Sequence, residues 1–267
     1  KDIKMGYRRQ RQMCIRGGLM ACALTGAHAQ PQAAYPAKPI RMIVPFPPGG
    51  GTDILSRLVA SKLTEVSKWT VIADNRGGAG GTIGIAEAAR AAPTGYEMVM
   101  GQKDNMVVAP WLYKNLRYDP IKDLVAVAHV AYTPVVIVTG VNSRFKTLAA
   151  VVTAAKAAPD QITYGSPGNG TTIHLAGEIG KTVAKIKLRH IPYKGSSPAM
   201  MDVLAGNVDL MVSSLPSAMS QIKAGKLRVL AVTSAKRSTS LPDAPHVAEL
   251  GDKDFDVSTW YVSLIHI

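Results

Sequence analysis

One local pattern recurs three times in this chain: a short β-branched run, a glycine-rich turn, then a helix opening with threonine. The segments are Ile43-Val44-Pro45-Phe46-Pro47-Pro48-Gly49-Gly50-Gly51-Thr52-Asp53, Asn75-Arg76-Gly77-Gly78-Ala79-Gly80-Gly81-Thr82 and Tyr164-Gly165-Ser166-Pro167-Gly168-Asn169-Gly170-Thr171-Thr172-Ile173-His174. A strand that runs through a tight turn into a helix is the first two-thirds of a crossover unit. Its repetition predicts an α/β fold with mostly parallel sheet. Each turn also sets helix N-terminal N–H groups beside backbone stripped of side chains, an arrangement that holds anions. In open α/β sheets such turns lie at the carboxyl ends of strands, where ligands bind.

The intervening sequence keeps this rhythm. Strand patterns fall at Ile40 to Phe46, Thr70 to Ala73, Tyr96 to Met100, Val125 to Val130, Val135 to Thr139, Ile162 to Gly165, Lys187 to Ile191, Val208 to Val212 and Arg228 to Thr233. Helical spacing puts Ile54, Leu55, Leu58, Val59, Leu63 and Val66 on one face; Leu148, Val151, Val152 and Ala155 do the same, as do Ile173, Ala176, Gly177 and Ile179. At 47% apolar residues the chain has material for a sizeable core, which excludes a disordered protein.

Charge is uneven. The 267 residues carry 31 Lys and Arg against 18 Asp and Glu, a net +13, but residues 1–29 hold six of the bases and one acid, leaving +8 for the remainder. In that first stretch basic residues end at Arg16, a short apolar and small-residue run spans Gly17 to Gly26, and Ala27-His28-Ala29 supplies an A-x-A-like site. Residues 1–29 are therefore expected to be a signal peptide, cleaved between Ala29 and Gln30, which exports the mature chain. Cys14 and Cys22 both lie in this leader, so the mature chain has no disulfide. Leu19-Met20-Ala21-Cys22 loosely resembles a lipoprotein processing site, although the apolar run before Cys22 is short. No later run approaches the roughly 18–20 apolar residues of a membrane span.

Phosphate is the obvious anion for such turns, yet no G-x-x-x-x-G-K-[ST] is present, and no G-x-G-x-x-G is followed by an acid about 20 residues on. That disfavours a nucleotide and leaves a carboxylate as the better reading, with phosphate-like ligands still open. The glycines also suit tight turns that bind nothing. Ser166, His174 and Asp209 make a nucleophilic triad on paper, but there is no G-x-S-x-G elbow and Pro167 follows the serine, so no catalytic residue is expected. His174, one helical turn beyond Gly170, is suited either to face the ligand or to bond a neighbouring turn. The histidines form no H-E-x-x-H, so neither metal nor cofactor is expected. Trp69, Trp111 and Trp260 are isolated, and the phenylalanines are not interleaved with bases, which argues against nucleic acid.

Further ordered motifs are Tyr118-Asp119-Pro120, His174-Leu175-Ala176-Gly177-Glu178, His190-Ile191-Pro192-Tyr193-Lys194-Gly195, Ala205-Gly206-Asn207-Val208-Asp209 and Leu230-Ala231-Val232-Thr233-Ser234. With the glycine turns they resemble the Bug-type extracytoplasmic substrate-binding proteins of tripartite tricarboxylate transporters, over about Tyr35 to Tyr261. The resemblance implies a two-domain Venus-flytrap architecture, type II-like, that closes on a ligand in an interdomain cleft. Domain I would comprise 30–137 plus 234–267, domain II 138–233, with hinges near Val135 to Thr139 and Leu230 to Ser234. It implies a monomer that captures a small organic carboxylate, a tricarboxylate, dicarboxylate or related acid, and delivers it to membrane permease subunits. The ligand-binding residues carried over are Phe46, Pro48, Gly49, Gly50, Gly51, Thr52 and Asp53 in the first turn, Gly78, Ala79, Gly80, Gly81 and Thr82 in the second, and Gly168, Asn169, Gly170, Thr171, Thr172 and His174 in the third. Asp209 is added as a group that reaches the distal end of the ligand or caps within the fold. Two departures stand out: Gly77 replaces the family's usual proline, and the sequence stops at Ile267 where relatives continue, so domain I is expected to be incomplete. A periplasmic sensor subunit using the same cleft is the alternative, followed by a periplasmic hydrolase.

Overall fold

The computed structural model describes residues 35–247 and 255–266; the expected signal peptide and both cysteines lie outside the described residues. Strand β1 (Ile40–Val44) is buried at every position but Arg41, as a central strand must be, and pairs in parallel with β2 (Val71–Asn75) and β3 (Glu97–Gln102). Helices α1 (Gly51–Ser67) and α2 (Thr82–Ala88) make the two crossovers. Half-buried Arg41 ties these elements together through Asp74, Glu87 and Glu97 at 2.6, 2.5 and 3.5 Å.

A π-helical turn (Asp104–Val108) and the short α3 (Ala109–Leu112) lead to β4 (Val125–Gly140). The two strands expected at Val125 to Val130 and Val135 to Thr139 are thus one. Up to Pro134, β4 pairs with β9 (Ser258–Ile265), which lies against β3; from Val135 it pairs with β7 (Leu210–Ser214), and from Val136 also with β8 (Leu227–Val232). Proline sits at the changeover, where a residue without an N–H is tolerated. Beyond β7, β5 (Thr163–Ser166) runs parallel to β7 and to β6 (Arg189–Pro192).

The strand order is β2-β1-β3-β9-β4-β7-β5-β6, with β8 paired to β4. This sheet is mixed, which corrects the expectation of mostly parallel pairing. Every pair made by β4 or β9 is antiparallel. β4 carries the chain out of the first half and β9 brings it back, and a strand returning beside the one that left runs the opposite way.

Helices α4 (Leu148–Ala157) and α5 (Thr172–Ala184) cover one face of the second half, packing Val151 and Ile173 on Val135, Tyr164, Leu210 and Leu230. On the other face, α6 (Ser196–Ala205) and α7 (Leu215–Lys223) set Met200, Val203 and Ala218 against Val136, Val138 and Met211. In the first half, Ile43, Ile85, Val99, Tyr118 and Leu264 form one core, and Met42, Met100 and Tyr261 a second beneath Leu55 and Val59. The result is a two-domain α/β fold in layers. The stripe expected on α1 is only partly used: Ile54, Leu58 and Val66 are exposed, and Thr52, Ser56 and Ala60 are buried instead. Small side chains let this helix approach its neighbours closely, which apolar periodicity does not reveal.

Candidate functional site

In the first turn, Gly49 takes φ +81° and donates its N–H to Asp53 Oδ2 at 3.0 Å. Asp53 Oδ1 accepts from Arg57 Nε at 3.0 Å and from Asn75 Nδ2 at 2.9 Å. Burial pushes the Asp53 carboxyl up, but the hydrogen bonds from Arg57, Gly49 and Asn75 outweigh it and hold it below the usual carboxylate range. Asp53 therefore fixes the turn. α1 then starts from Gly50 without a side-chain cap.

That uncapped start faces the hydroxyls of Ser214 and Ser196 in the second half, and that of Tyr261 on β9 in its own half. A Cβ on Gly51 would lie 2.5 Å from Ser214 Oγ and 2.6 Å from the Tyr261 hydroxyl, and one on Gly50 would lie 3.7 Å from Ser196 Oγ. Ser214 and Ser217 are linked hydroxyl to hydroxyl at 3.0 Å, and Ser197 Oγ donates to the Pro48 carbonyl at 2.7 Å. α6 and α7 begin here, from Gly195 and Ser214, also without side-chain caps, and a Cβ on Gly195 would meet Pro47 at 3.1 Å.

The second turn winds through positive φ at Gly78, Ala79, Gly80 and Gly81 before α2 starts uncapped. A Cβ on Gly81 would fall 2.8 Å from both the Phe46 ring and Asn105 Nδ2. Thr82 turns its hydroxyl back to the Ala79 carbonyl at 3.0 Å. Four uncapped helix starts, those of α1, α2, α6 and α7, thus gather around Phe46 to Thr52.

The third turn differs. Gly168 N–H donates to Ser166 Oγ at 3.2 Å, Gly170 N–H to His174 Nδ1 at 3.2 Å, and His174 N–H to Thr171 Oγ1 at 3.1 Å. Thr172 N–H donates to Asp104 Oδ1 at 2.8 Å, and Asn169 points to solvent. These amides are taken by the chain's own side chains. Behind them the His174 and His190 rings stack at 4.2 Å, with Tyr164 on His190 at 4.8 Å and Ser166 Oγ 2.7 Å from His190 Nε2. Burial and then the neighbouring His174 lower His190 to about 4, and burial also lowers His174.

Asp209 is not brought to this site. It precedes β7 at the end opposite Ser214, and its Oδ2 accepts from Thr163 N–H and Oγ1 at 2.9 and 3.0 Å. Ser166 pairs with His190, so the paper triad of Ser166, His174 and Asp209 is not assembled. Site residues missing from the sequence reading are Ser196, Ser197, Ser214, Ser217, Tyr261, Asp104 and Asn105. Ser196-Ser197-Pro198 and Ser214-Leu215-Pro216 carried the available signal, since proline in a first helical turn marks a helix start. An apolar hollow between α4 and α5, lined by Val151, Val152, Ala176, Gly180, Ile186 and Leu210, holds none of the four uncapped helix starts. Among the described residues no group of three His, Cys, Asp or Glu could hold a metal ion, and no helix is long and apolar enough to cross a membrane.

An α/β fold whose helix starts converge from two halves defines a solute-binding protein. Comparison with known proteins identifies the kind. Residues 55–266 match the tripartite tricarboxylate transporter family receptor. BugT of Bordetella pertussis is 37% identical over 240 residues, covering 89% of this chain and 74% of that protein. A solved periplasmic transporter aligns with TM-score 0.83 at 40% identity, covering 87% of this chain and 78% of its own. The R. palustris protein Rpa4515, solved with adipate, aligns with TM-score 0.81 at 31% identity, covering 87% and 78%. This chain belongs to the tripartite tricarboxylate transporter receptor family of Bug-type periplasmic solute-binding proteins.

Proposed function

We propose that this protein captures a small organic carboxylate in a cleft between a domain of residues 30–137 plus 234–267 and a domain of 138–233, and hands it to membrane permease subunits. It works in the periplasm after loss of residues 1–29 and performs no chemistry on its ligand. The observation that carries this reading is the uncapped start of α1 at Gly50 and Gly51, with Gly51 packed against the Ser214 and Tyr261 hydroxyls. Backbone N–H groups and hydroxyls are what a carboxylate accepts from, each charge-assisted bond contributing about 1.5–3 kcal/mol. Adipate in the R. palustris relative supports the ligand class.

Within the site, Gly49 to Thr52 and Gly78 to Thr82 present amides, Ser196 and Ser214 present hydroxyls, and Gly168 to His174 form a wall. Phe46 and Pro48 shape the first turn. Thermal-shift titration with adipate, malate, succinate and citrate tests the reading, and X-ray scattering follows closure. A saturable rise in Tm with a fall in radius of gyration is expected. No shift with any acid, or a shift retained after Gly51→Val, overturns it.

A further inference from the structure

Trp111 is 89% exposed, more than any other large apolar side chain among the described residues. It stands in α3 one turn after Val107 of the π-helical turn, and both Val107 and Leu112 are exposed with it. Tyr118 ties the loop that follows to the base of this corner by donating to the Asn105 carbonyl, and in that loop Ile121 is 87% exposed. Apolar side chains held together in water by a braced corner mark a contact surface. The corner also borders the seam between the two halves. A Cβ on Gly170, in the third turn, would fall 2.7 Å from Leu112 Cδ1, and one on Gly80, in the second, 3.3 Å from the Tyr113 hydroxyl.

Charge at this corner is one-sided. Lys114 and Arg117 are exposed, and neither side chain makes an ion pair or a hydrogen bond among the described residues. The acids of the same stretch are occupied by their own turn. Asp119 Oδ1 accepts the N–H groups of Ile121 and Lys122 at 2.9 and 3.1 Å, and its Oδ2 lies 3.3 Å from Lys122 Nζ. Asp123 Oδ2 accepts the Asp119 N–H at 2.7 Å.

We propose that this corner docks on an anionic phospholipid bilayer, with Val107, Trp111 and Leu112 at the acyl boundary and Lys114 and Arg117 at the headgroup phosphates. An indole is suited to that boundary, where its apolar body leaves water while its N–H stays hydrated. Lysine and arginine extend apolar stems along the same surface and keep their charges at the phosphates. An apolar patch alone would fit any apolar partner; two unpaired cations beside it select a surface of dense negative charge. The net +8 of residues 30–267 draws the whole chain the same way. The proposal does not depend on which ligand the cleft holds.

The test floats the chain, purified after export, with protein-free vesicles of equal parts phosphatidylglycerol and phosphatidylcholine, and with vesicles of phosphatidylcholine alone. Binding to the anionic vesicles should be reversible, should weaken at roughly 0.5 M salt, and should shift tryptophan emission to shorter wavelength. Trp111→Ala should lower that binding about fivefold or more and abolish the emission shift. The double variant Lys114→Gln with Arg117→Gln should also lower it about fivefold or more. All three side chains are exposed, so the urea midpoint should not move. No binding to the anionic vesicles overturns the proposal, as does equal binding to phosphatidylcholine alone. Binding that survives Trp111→Ala overturns it too, since overall charge would then account for the attraction. Capture by native membrane vesicles with their proteins, but not by protein-free vesicles of the same lipids, would assign the corner to a protein partner and overturn it as well.

Discussion

Thr233 grips the Val135 carbonyl twice: its N–H donates at 2.9 Å and its Oγ1 lies 3.0 Å away, while the same Oγ1 is 2.5 Å from the Val257 carbonyl. Val257 N–H returns to the Thr233 carbonyl at 2.9 Å. One buried residue therefore clamps the outgoing strand β4 to the returning chain just where β4 exchanges β9 for its partners in the second half.

Thr233→Val keeps shape and N–H but removes the hydroxyl from two buried carbonyls, and should cost about 1–3 kcal/mol. Urea unfolding should show a lower midpoint with an unchanged slope. An unchanged midpoint would mean that the hydroxyl contributes nothing to the clamp.

Gly51→Ala and Gly206→Ala should separate binding from backbone strain. Gly51 sits in a helix, so alanine suits its backbone, but the methyl meets the Ser214 and Tyr261 hydroxyls. Affinity for the acid that binds best should drop roughly tenfold or more, with about 1–3 kcal/mol lost as the buried Ser214 and Tyr261 give way. Gly206, at φ +81° with nothing within 4 Å, should lose about 1–2 kcal/mol from the left-handed backbone alone and keep its affinity. The reverse pattern would move the site away from α1.

Acid should weaken the fold through the histidine stack. His190 is lowered from 6.5 to about 4 by burial and by His174, so between these values the unfolded chain binds the extra proton. The contribution is complete above pH 6.5 and is lost as pH falls toward about 4. His174, lowered by burial, adds in the same direction, since its Nδ1 must stay unprotonated to accept from Gly170. Melting curves from pH 8 to pH 4 should decline less steeply for His190→Asn, and equal slopes would remove the stack from the explanation.

Asp209→Ala should destabilise the start of β5, where Thr163 loses the acceptor of its N–H and Oγ1, by about 1–3 kcal/mol. Ligand affinity should not move. A tenfold loss of affinity in the folded variant would restore Asp209 to the site.

The strands from Ile40 and Val71 were legible because apolar runs lead into glycine turns of positive φ, and the strand from Glu97 because its run starts just after the turn at Gly95. Strand direction was not, since nothing local in Ser258-Thr259-Trp260-Tyr261-Val262 says that it will slot between β3 and β4. The first two glycine turns were readable as anion-holding shapes. The third has the same shape, but its amides are occupied by Ser166, His174 and Asp104, and Asp104 lies far off in a stretch, Gln102-Lys103-Asp104-Asn105, that reads as polar loop. Side-chain competitors for backbone donors come from distant sequence, so a turn's shape is legible long before its availability is.

The four uncapped helix starts also bear on signalling to a partner. Under the proposed function, their positive ends would push against one another and an anion between them would be the counterweight that draws the halves together. Occupancy would then be converted into outline. A permease that docks only on the shut form needs no chemical test of its own, because it reads the identity of the cargo as the silhouette of its carrier.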